Sequence, residues 1–324
     1  LLEPSPAALT HLFNQLLGGA EFPSELSASI LVPIYKGKGD PVDLSNYRGI
    51  SILPAVAKLW AALLERRLSA ALDSAGLRAP SQFGFRRGLG TIDAAFVLQA
   101  VLESNVGVRS ADPAAPRAVY ALFVDFRKAF DSVQRPVLWQ LLRNLGIPER
   151  YVGAVMAYYR TVRFKIALAD GGLTAGVDAG IGVKQGCPLS PTLFGVFIES
   201  LLRELEGPDA ASAGYQPPDL DGRPAPSLLY ADDLAGLSLS PDGLQRLCDR
   251  LAQLAEKYGL AINVAKTKAM VFGLSLNARA RLPALQLAGE PVEWVSEFRY
   301  LGLPLACDVG FAQAGRSMLD AATT

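Results

Sequence analysis

The segment Tyr230-Ala231-Asp232-Asp233 places two adjacent carboxylates inside residues 228–239, a run that is otherwise apolar apart from Gly236 and Ser238. Apolar runs of this composition predict a buried β-hairpin, because such side chains fit a pleated, half-buried surface. Buried charges are normally paired or bound to a metal ion. The two acids therefore indicate a site at the tip of the hairpin, although Asp is also common in simple turns.

A second apolar strand is predicted at residues 118–124, and Asp125 follows it directly. If the two strands are neighbours in one sheet, Asp125 and Asp232 converge on one point, with Asp233 as a weaker third ligand. Mg²⁺ takes oxygen ligands, usually one or two carboxylates together with substrate phosphates. Two such ions about 3.5–4 Å apart support in-line phosphoryl chemistry. The strands therefore predict a two-metal site.

The length of the chain allows several organisations. Its 324 residues, 50% of them hydrophobic, are enough for one large domain or a few subdomains. No stretch reaches the ~18 uninterrupted apolar residues of a membrane span, and no signal peptide is seen, so we expect no membrane association. The first residue is Leu1 rather than Met, which leads us to expect a fragment of a longer protein.

The numbers of histidines and cysteines limit the kinds of catalytic and metal-binding site that this chain can form. The one histidine, His11, excludes Ser-His-Asp triads, Cys-His dyads and multi-His metal sites unless it serves in them itself. Cys187, Cys248 and Cys307 show no Cys-x-x-Cys spacing and suggest neither zinc nor a disulfide framework. This usage is typical of a reducing compartment, so we expect an intracellular protein.

The net charge is zero, which counts against nucleic-acid binding because phosphates attract basic surfaces. The distribution of charge along the chain is more informative than the net charge. Among the charged residues, those at 34–88 are mainly basic, and residues 199–256 are acid-rich. These stretches suit phosphate and metal binding respectively, although charges scattered over a solvated surface would give the same counts. The basic residues of the first stretch are Lys36, Lys38, Arg48, Lys58, Arg66, Arg67, Arg78, Arg86 and Arg87.

Apolar periodicity and capping residues predict strands that alternate with helices, as in an α+β or α/β sheet with helices packed on it. Thr91 is expected to cap a helix that reaches about Glu103, and Ser190 is expected to cap another with Pro191 at its first position. Further helices are predicted at 1–20, 57–72, 136–146, from 148 and at 240–259, strands at 29–35, 163–168, 176–183 and 268–272, and loops at 104–116 and 207–226.

An ordered series of motifs resembles the reverse transcriptases of non-LTR (LINE-type) retrotransposons. The likeness covers about residues 25–305, and Gly49 departs from it because the family usually has Pro there. The motifs in chain order are Val32-Pro33-Ile34-Tyr35-Lys36, Asn46-Tyr47-Arg48-Gly49-Ile50-Ser51, Gln82-Phe83-Gly84-Phe85-Arg86, Val124-Asp125-Phe126-Arg127-Lys128-Ala129-Phe130-Asp131, Lys184-Gln185-Gly186-Cys187-Pro188-Leu189-Ser190-Pro191, Tyr230-Ala231-Asp232-Asp233, Asn263-Val264-Ala265-Lys266-Thr267-Lys268 and Tyr300-Leu301-Gly302.

This resemblance implies an α+β right-hand polymerase fold with a ferredoxin-like palm sheet and packed helices. The fingers would occupy residues 1–117 and the palm 118–305, with 135–180 contributing to the fingers. Residues 306–324 would begin a thumb that is largely missing. We expect any endonuclease to lie outside this chain.

The resemblance also implies the catalytic centre. Asp125, Asp232 and Asp233 would hold two Mg²⁺ ions, for which Mn²⁺ is a possible substitute, and the backbone carbonyl of Phe126 would face one of them. Lys266 would protonate the pyrophosphate as it leaves. The ions would activate the primer 3′-OH and neutralise the leaving group.

Nucleotide-binding positions follow from the same likeness. Phe130 resembles the steric gate that leaves no room for a 2′-hydroxyl, although a core aromatic is the alternative. Gln185-Gly186 would line the incoming nucleotide and the template base. Lys36 and Arg48 resemble triphosphate-binding residues of the fingers, and Arg86 would contact triphosphate or template. Taken singly, each of these cations is better explained by a surface ion pair than by phosphate binding.

The predicted activity is RNA-directed DNA polymerisation with an RNA template, a DNA or RNA primer and dNTPs. The hairpin at Tyr300-Leu301-Gly302 resembles the primer grip, and nuclear action follows from the resemblance. Three alternatives stay open: a catalytically dead retroelement remnant that binds RNA, a group II intron-type reverse transcriptase, and a generic two-metal phosphohydrolase. Cys187-Pro188-Leu189 favours the LINE type over the group II type. The oligomeric state is open.

Overall fold

The computed structural model describes residues 5–106, 118–160, 163–168, 172–178, 180–207, 215–225 and 227–308. Most of the loop predicted at 104–116 and residues 309–324 of the predicted thumb lie outside this part of the chain. The chain divides into two compact units. The first unit is Leu1–Arg78 with Phe130–Phe197, and the second unit is Ala79–Ala129 with Ile198–Thr324.

The helices begin where the sequence supplies suitable first-turn residues. Ser5 and Ser240 each accept a backbone N–H at the start of a helix whose next residue is Pro. The helices are α1 Pro6–Leu17, α2 Ser24–Ser27, α3 Ala55–Ser74, α4 Thr91–Asn105, α5 Ala129–Ser132, α6 Arg135–Asn144, α7 Glu149–Arg160, α8 Ser190–Leu205, α9 Pro241–Tyr258 and α10 Leu276–Arg279.

The capping predictions at Thr91 and Ser190 are both wrong, because each residue is the first of its helix rather than its cap. Thr91 is the first residue of α4, and Gly90 stands in the cap position. The carboxylate of Asp93 reaches back and accepts the Gly90 N–H at 2.7 Å. This bond satisfies the N–H of the cap residue itself, which is one half of a capping box.

The strands are β1 Ala28–Tyr35, β2 Tyr47–Ile52, β3 Val119–Val124, β4 Phe126–Arg127, β5 Arg163–Ile166, β6 Val177–Asp178, β7 Asp219–Leu220, β8 Arg223–Pro224, β9 Ser227–Tyr230, β10 Asp233–Ser238, β11 Ala261–Ile262, β12 Lys268–Phe272, β13 Leu285–Leu287, β14 Glu290–Trp294, β15 Glu297–Tyr300 and β16 Leu303–Ala306. A short hairpin, β7–β8, lies within the segment predicted as a loop at 207–226.

The first unit is built on a sheet in the order β2-β1-β5-β6. β1 is antiparallel to β2 and parallel to β5, and the long stretch of chain between β1 and β5 provides the crossover that a parallel pair needs. The apolar face of α3, which includes Trp60 and Leu64, is completely buried. The Tyr151 hydroxyl of α7 donates to the Leu64 carbonyl at 2.7 Å and so ties α7 to α3.

The second unit is built on a larger sheet in the order β13-β14-β12-β3-β10-β9. Its central strand β3 is buried along its whole length. On one face, α9 packs so closely on β10 that a Cβ at Gly236 would lie 2.9 Å from the Leu247 side chain. A side chain at Gly236 would displace Leu247, so glycine allows α9 to lie close to β10.

The other face of this sheet holds an apolar core beneath α4 and the β15–β16 hairpin. Alternate residues of β3, β10 and β12 point into it, as the two-residue period of a strand dictates. This burial makes β3 and β10 rigid supports for the residues at their ends. The core includes Phe83, Ala94, Leu98, Leu102, Val119, Ala121, Phe123, Ala235, Leu237, Met270, Phe272 and Tyr300.

Within the described residues, we find no helix that is both long and apolar enough to cross a bilayer.

Candidate active site

The predicted pairing of the two acid-bearing strands is confirmed. β3 and β10 are antiparallel neighbours, and Val124 pairs with Leu234. The next positions along the two strands are Asp125 and Asp233, so the register sets these carboxylates across from each other at one edge of the sheet. Asp232 lies in the turn between β9 and β10.

A cavity of about 680 Å³ opens at this edge. Asp125, Asp233 and Lys266 line it together, so three of the four predicted catalytic residues meet here. Asp232 is not among its lining residues. The rest of the wall is formed by Thr91, Phe123, Val124, Tyr230, Leu234, Ala265, Lys268, Phe298, Arg299, Tyr300, Leu301 and Gly302.

The cavity disfavours negative charge. Asp233 reaches solvent, but the surrounding protein removes water from its carboxyl and raises its pKa to about 6. The charges of Asp232 and Asp125 raise this pKa in the same direction. Burial and the nearby Asp233 charge also raise the pKa of the Tyr300 phenol. A cation bound among these groups would relieve the repulsion.

Asp125 is held by residues of the segment between β11 and β12. The Asn263 side-chain amide donates to Asp125 Oδ2 at 2.9 Å, and the Asn263 backbone N–H donates to the Asp125 carbonyl at 2.7 Å. The Asp125 N–H donates to Thr267 Oγ1 at 3.3 Å. These bonds fix both the backbone and the carboxylate of Asp125. Phe126, the next residue, is buried and pairs with Ile262.

The turn that carries the paired acids has an unusual backbone. Ala231 adopts a left-handed conformation with φ of 59°, which is uncommon for a residue other than glycine. The buried side chain of Gln82 accepts the Ala231 N–H at 3.2 Å. The turn is therefore supported by a residue far away in sequence.

Within the first unit, the structure brings other predicted residues together. The ring of Phe130 stacks on Phe194 with centroids 4.3 Å apart. The Gln185 side chain donates to Asp131 Oδ1 at 3.2 Å, and the Gln185 carbonyl accepts the Ser51 N–H at 2.8 Å. These bonds fasten the Gln185 loop to β2 and α5.

Gly186 is required by this loop. Its φ is 98°, and a Cβ there would lie 2.8 Å from the Ser51 carbonyl oxygen. A side chain would both strain the backbone and push the loop away from β2.

The predicted basic residues have different surroundings. Lys36 follows β1 and donates its backbone N–H to the Asn46 carbonyl, while Arg48 lies on β2; both side chains are exposed. Arg86 belongs to the second unit, where its guanidinium donates to the carbonyls of Ala79 and Gln82 at 3.3 and 3.2 Å. Arg86 thereby stabilises its own loop.

The donor chemistry of the cavity suits a hard divalent cation. Asp125 and Asp233 line it with carboxylate oxygens, the ligands that Mg²⁺ prefers, and the charge of Asp232 acts on Asp233 from the adjoining turn. In the part of the chain that the structure describes, no three acidic, His or Cys side chains are grouped closely enough to complete a metal site alone. Mg²⁺ usually keeps waters and takes substrate phosphates as further ligands, so the residues fit an ion shared with a nucleotide.

Several residues of this site carry no distinctive sequence signal. Thr91 and Arg299 line the cavity, and Gln82, Asn263 and Thr267 support its backbone. The first two lie in ordinary helix and strand patterns. Gln82, Asn263 and Thr267 belong to motifs that carry the family resemblance, which is the one signal that could have selected them.

The chain matches a known family over the region that contains these motifs. A family model described as "Reverse transcriptase (RNA-dependent DNA polymerase)" matches residues 35–305. The RNA-directed DNA polymerase from mobile element jockey of Drosophila melanogaster is 27% identical over 321 residues, which are 94% of this chain and 32% of that protein. The putative 115 kDa protein in type-1 retrotransposable element R1DM of the same species is 29% identical and is covered over 27% of its length. The chain thus spans about a third or less of these relatives.

Among solved structures, apo telomerase from Candida tropicalis truncated from its C-terminal domain aligns with a TM-score of 0.59. The alignment covers 92% of this chain and 57% of that chain, at 12% identity. At this identity the likeness shows the fold alone. The predicted α+β, right-hand polymerase fold is confirmed.

Proposed function

This chain belongs to the reverse transcriptase family, and on that premise we propose that it is the RNA-directed DNA polymerase domain of a non-LTR retrotransposon protein. It adds dNTPs to the 3′-OH of a DNA or RNA primer on an RNA template. The observation that carries the proposal is the meeting of Asp125, Asp233 and Lys266 in one cavity at the edge of the β3–β10 pair. We also infer, from the family resemblance, that it acts in the nucleus.

We propose that the second unit is the palm and the first unit the fingers. Support comes from the packing of α4 into the same core as β3, β10 and β12, which carry or flank the acids. Residues 79–106, which the family resemblance assigns to the fingers, would then belong with the palm strands, while residues 135–160 belong with the fingers.

The proposed ligands of Mg²⁺, or of Mn²⁺ in its place, are the carboxylates of Asp125, Asp232 and Asp233 and the carbonyl of Phe126. When bound, the ions lower the pKa of the primer 3′-OH and offset charge on the pyrophosphate. Asn263 keeps the Asp125 carboxylate turned toward its ligand position through the 2.9 Å hydrogen bond.

The other residues act on the nucleotide. Lys266, exposed on the cavity wall, gives a proton to the departing pyrophosphate. Lys36 and Arg48 bind the triphosphate, and Arg suits bidentate phosphate contacts. Gln185-Gly186 contacts the incoming nucleotide and the template base.

Phe130 excludes a 2′-hydroxyl and so selects dNTPs. Its stacking on Phe194 supports this role, because a ring held by a neighbour keeps its position when a sugar approaches. Arg86 is proposed to contact triphosphate or template, with its present bonds to Ala79 and Gln82 setting the shape of its loop.

The test is Mg²⁺-dependent primer extension on a primed RNA template, with dNTPs and NTPs compared. We expect incorporation of dNTPs alone and loss of incorporation in Asp232→Asn. Asp249→Asn, an exposed substitution on α9, is the matched control and should keep full activity.

A folded protein that binds RNA but incorporates no nucleotide would contradict the proposal and favour the inactive remnant. Release of phosphate from nucleotides without primer extension would favour a phosphohydrolase instead.

A further inference from the structure

The side chain of Gln82 is completely buried and makes two bonds through a single atom. Its Oε1 accepts the Gly84 N–H at 2.7 Å and the Ala231 N–H at 3.2 Å. Gln82 and Ala231 are 149 residues apart in sequence. One amide oxygen therefore joins the Gln82-Phe83-Gly84 segment to the turn that carries Asp232 and Asp233.

The same amide leaves its donor unused. Gln82 Nε2 is buried and has no hydrogen-bond partner in the part of the chain that the structure describes. An unsatisfied buried donor costs free energy, and an apolar side chain of the same shape would avoid that cost. Stability alone therefore does not favour glutamine at position 82. The atom of Gln82 with a clear role is Oε1, which accepts the Ala231 N–H.

The backbone around this contact leaves little space. A Cβ at Gly84 would lie 2.2 Å from the Ala231 nitrogen, so only glycine lets the two segments approach. Phe83 N–H donates to the Leu229 carbonyl, and Leu229 N–H donates to the Ser81 carbonyl, both at 2.8 Å. The turn is thus bound along one side to the Gln82 segment.

Ala231 is the strained point of the turn. Its left-handed φ of 59° persists in a non-glycine residue when the surroundings hold it there. The hydrogen bond from its own N–H to Gln82 Oε1 is a direct restraint on that conformation. Asp232 and Asp233 follow immediately, so a change in the Ala231 backbone would move both carboxylates relative to Asp125.

We propose that Gln82 is a positioning residue for catalysis: its Oε1 holds Ala231 in the left-handed conformation and so sets the place of Asp232 and Asp233. This inference rests on the proposed polymerase function. It does not require Gln82 to touch the primer, the template or the nucleotide.

The test compares Gln82→Met, which keeps the size of the side chain but loses the acceptor, with Gln82→Glu, which keeps an acceptor oxygen and loses the unused amide donor. Gln253→Met, an exposed substitution on α9, is the control. The two readouts are steady-state primer extension and hydrogen exchange of the Ala231 amide in the protein alone.

We expect Gln82→Met to lower kcat by about 10–100-fold with little change in the KM for dNTP, because the binding residues stay and the carboxylates shift. The Ala231 amide should exchange at least about tenfold faster. Gln82→Glu should recover most of the slow exchange and part of kcat, and Gln253→Met should behave as the wild type.

Unchanged exchange at Ala231 in Gln82→Met would overturn the proposal, as would equal losses of kcat in the Met and Glu variants. If Gln82→Met does not fold, hydrogen exchange of the Ala231 amide in Gln82→Glu decides. Slow exchange supports the proposed restraint of Ala231 by residue 82, and fast exchange rejects it. If the wild type incorporates no nucleotide, the proposed polymerase function is contradicted. The exchange experiment still tests whether Gln82 restrains the Ala231 backbone.

Discussion

Lys184 lies just before the Gln185-Gly186 loop with 2% of its surface exposed. Its Nζ has no hydrogen-bond partner in the described part of the chain and lies 3.8 Å from the centre of the Tyr158 ring. Burial is the main cause that lowers the pKa of Lys184 to about 8, with the nearby Cys187 acting to raise it and Arg135 to lower it. The fold therefore disfavours the charged form of this lysine.

We predict that Lys184→Met stabilises the protein at pH 7 by roughly 1–3 kcal/mol, because below pH 8 the native state must bury an ammonium that the unfolded chain keeps in water. The lost contact with the Tyr158 ring offsets part of the gain. Since the unfolded state binds more protons between pH 8 and about 10.5, wild-type stability rises over that range and the gain shrinks.

Urea unfolding at pH 7 and pH 10 measures this difference. Lys58→Met, at an exposed site on α3, is the control and should show no such pH dependence. A Lys184→Met protein that is less stable than wild type at pH 7 would contradict the prediction and show that the cation–ring contact outweighs burial.

At the residue scale, the charged residues of the site are easier to predict from the sequence than the residues that hold them in place. Asp125 and Asp232-Asp233 were identifiable because carboxylates interrupt apolar strands, where structure alone disfavours them. Gln82 gave no such signal, since a neutral amide is compatible with any surface loop. Its partner lies 149 residues away, and no local pattern records a contact of that range.

At the element scale, three hairpins share one turn geometry with different residues. Asp221-Gly222, Ala288-Gly289 and Leu301-Gly302 all have positive φ at both central positions, as in type I′ turns. Asp tolerates this conformation, whereas Ala and Leu are strained in it. The hairpin at 300–302 was predictable from its motif, while β7–β8 was hidden in a segment whose prolines favour a loop.

We predict that Ala288→Asn stabilises the protein by roughly 0.5–1 kcal/mol, because Asn is suited to the first position of a type I′ turn. Leu301→Asn should gain less, because it also loses the packing of Leu301 against the core. Their effects on polymerisation should differ. Leu301 lines the cavity with Asp125 and Asp233, so its replacement should lower primer extension, while Ala288 is exposed in the β13–β14 turn and its replacement should not.

Thermal unfolding and primer extension on the same samples check this pair. Ala288→Asn serves as the matched control for Leu301→Asn, since both make the same turn more favourable. Equal activity in the two variants would count against a role for the β15–β16 turn beside the catalytic residues.

At the scale of the whole molecule, zero net charge hides an uneven division between the units. The first unit contains more basic than acidic residues, and the second unit the reverse. The sequence showed this imbalance as stretches along the chain, but not as compact bodies, because each unit is assembled from two separate segments. No local feature of the sequence marks where the chain passes from one unit to the other.

This division predicts which unit binds the phosphates of a primed RNA template. Each phosphate contact releases counterions, so binding weakens with salt and the slope of log K against log [salt] counts the contacts. The double variant Lys36→Gln/Arg48→Gln in the first unit should weaken binding and reduce that slope by about 1.5, whereas Arg246→Gln, at an exposed site on α9, should leave it unchanged. Titration of labelled primer–template at several salt concentrations measures both slopes. If Arg246→Gln reduces the slope as much per charge as the Lys36 and Arg48 changes do, phosphate binding is not confined to the basic unit.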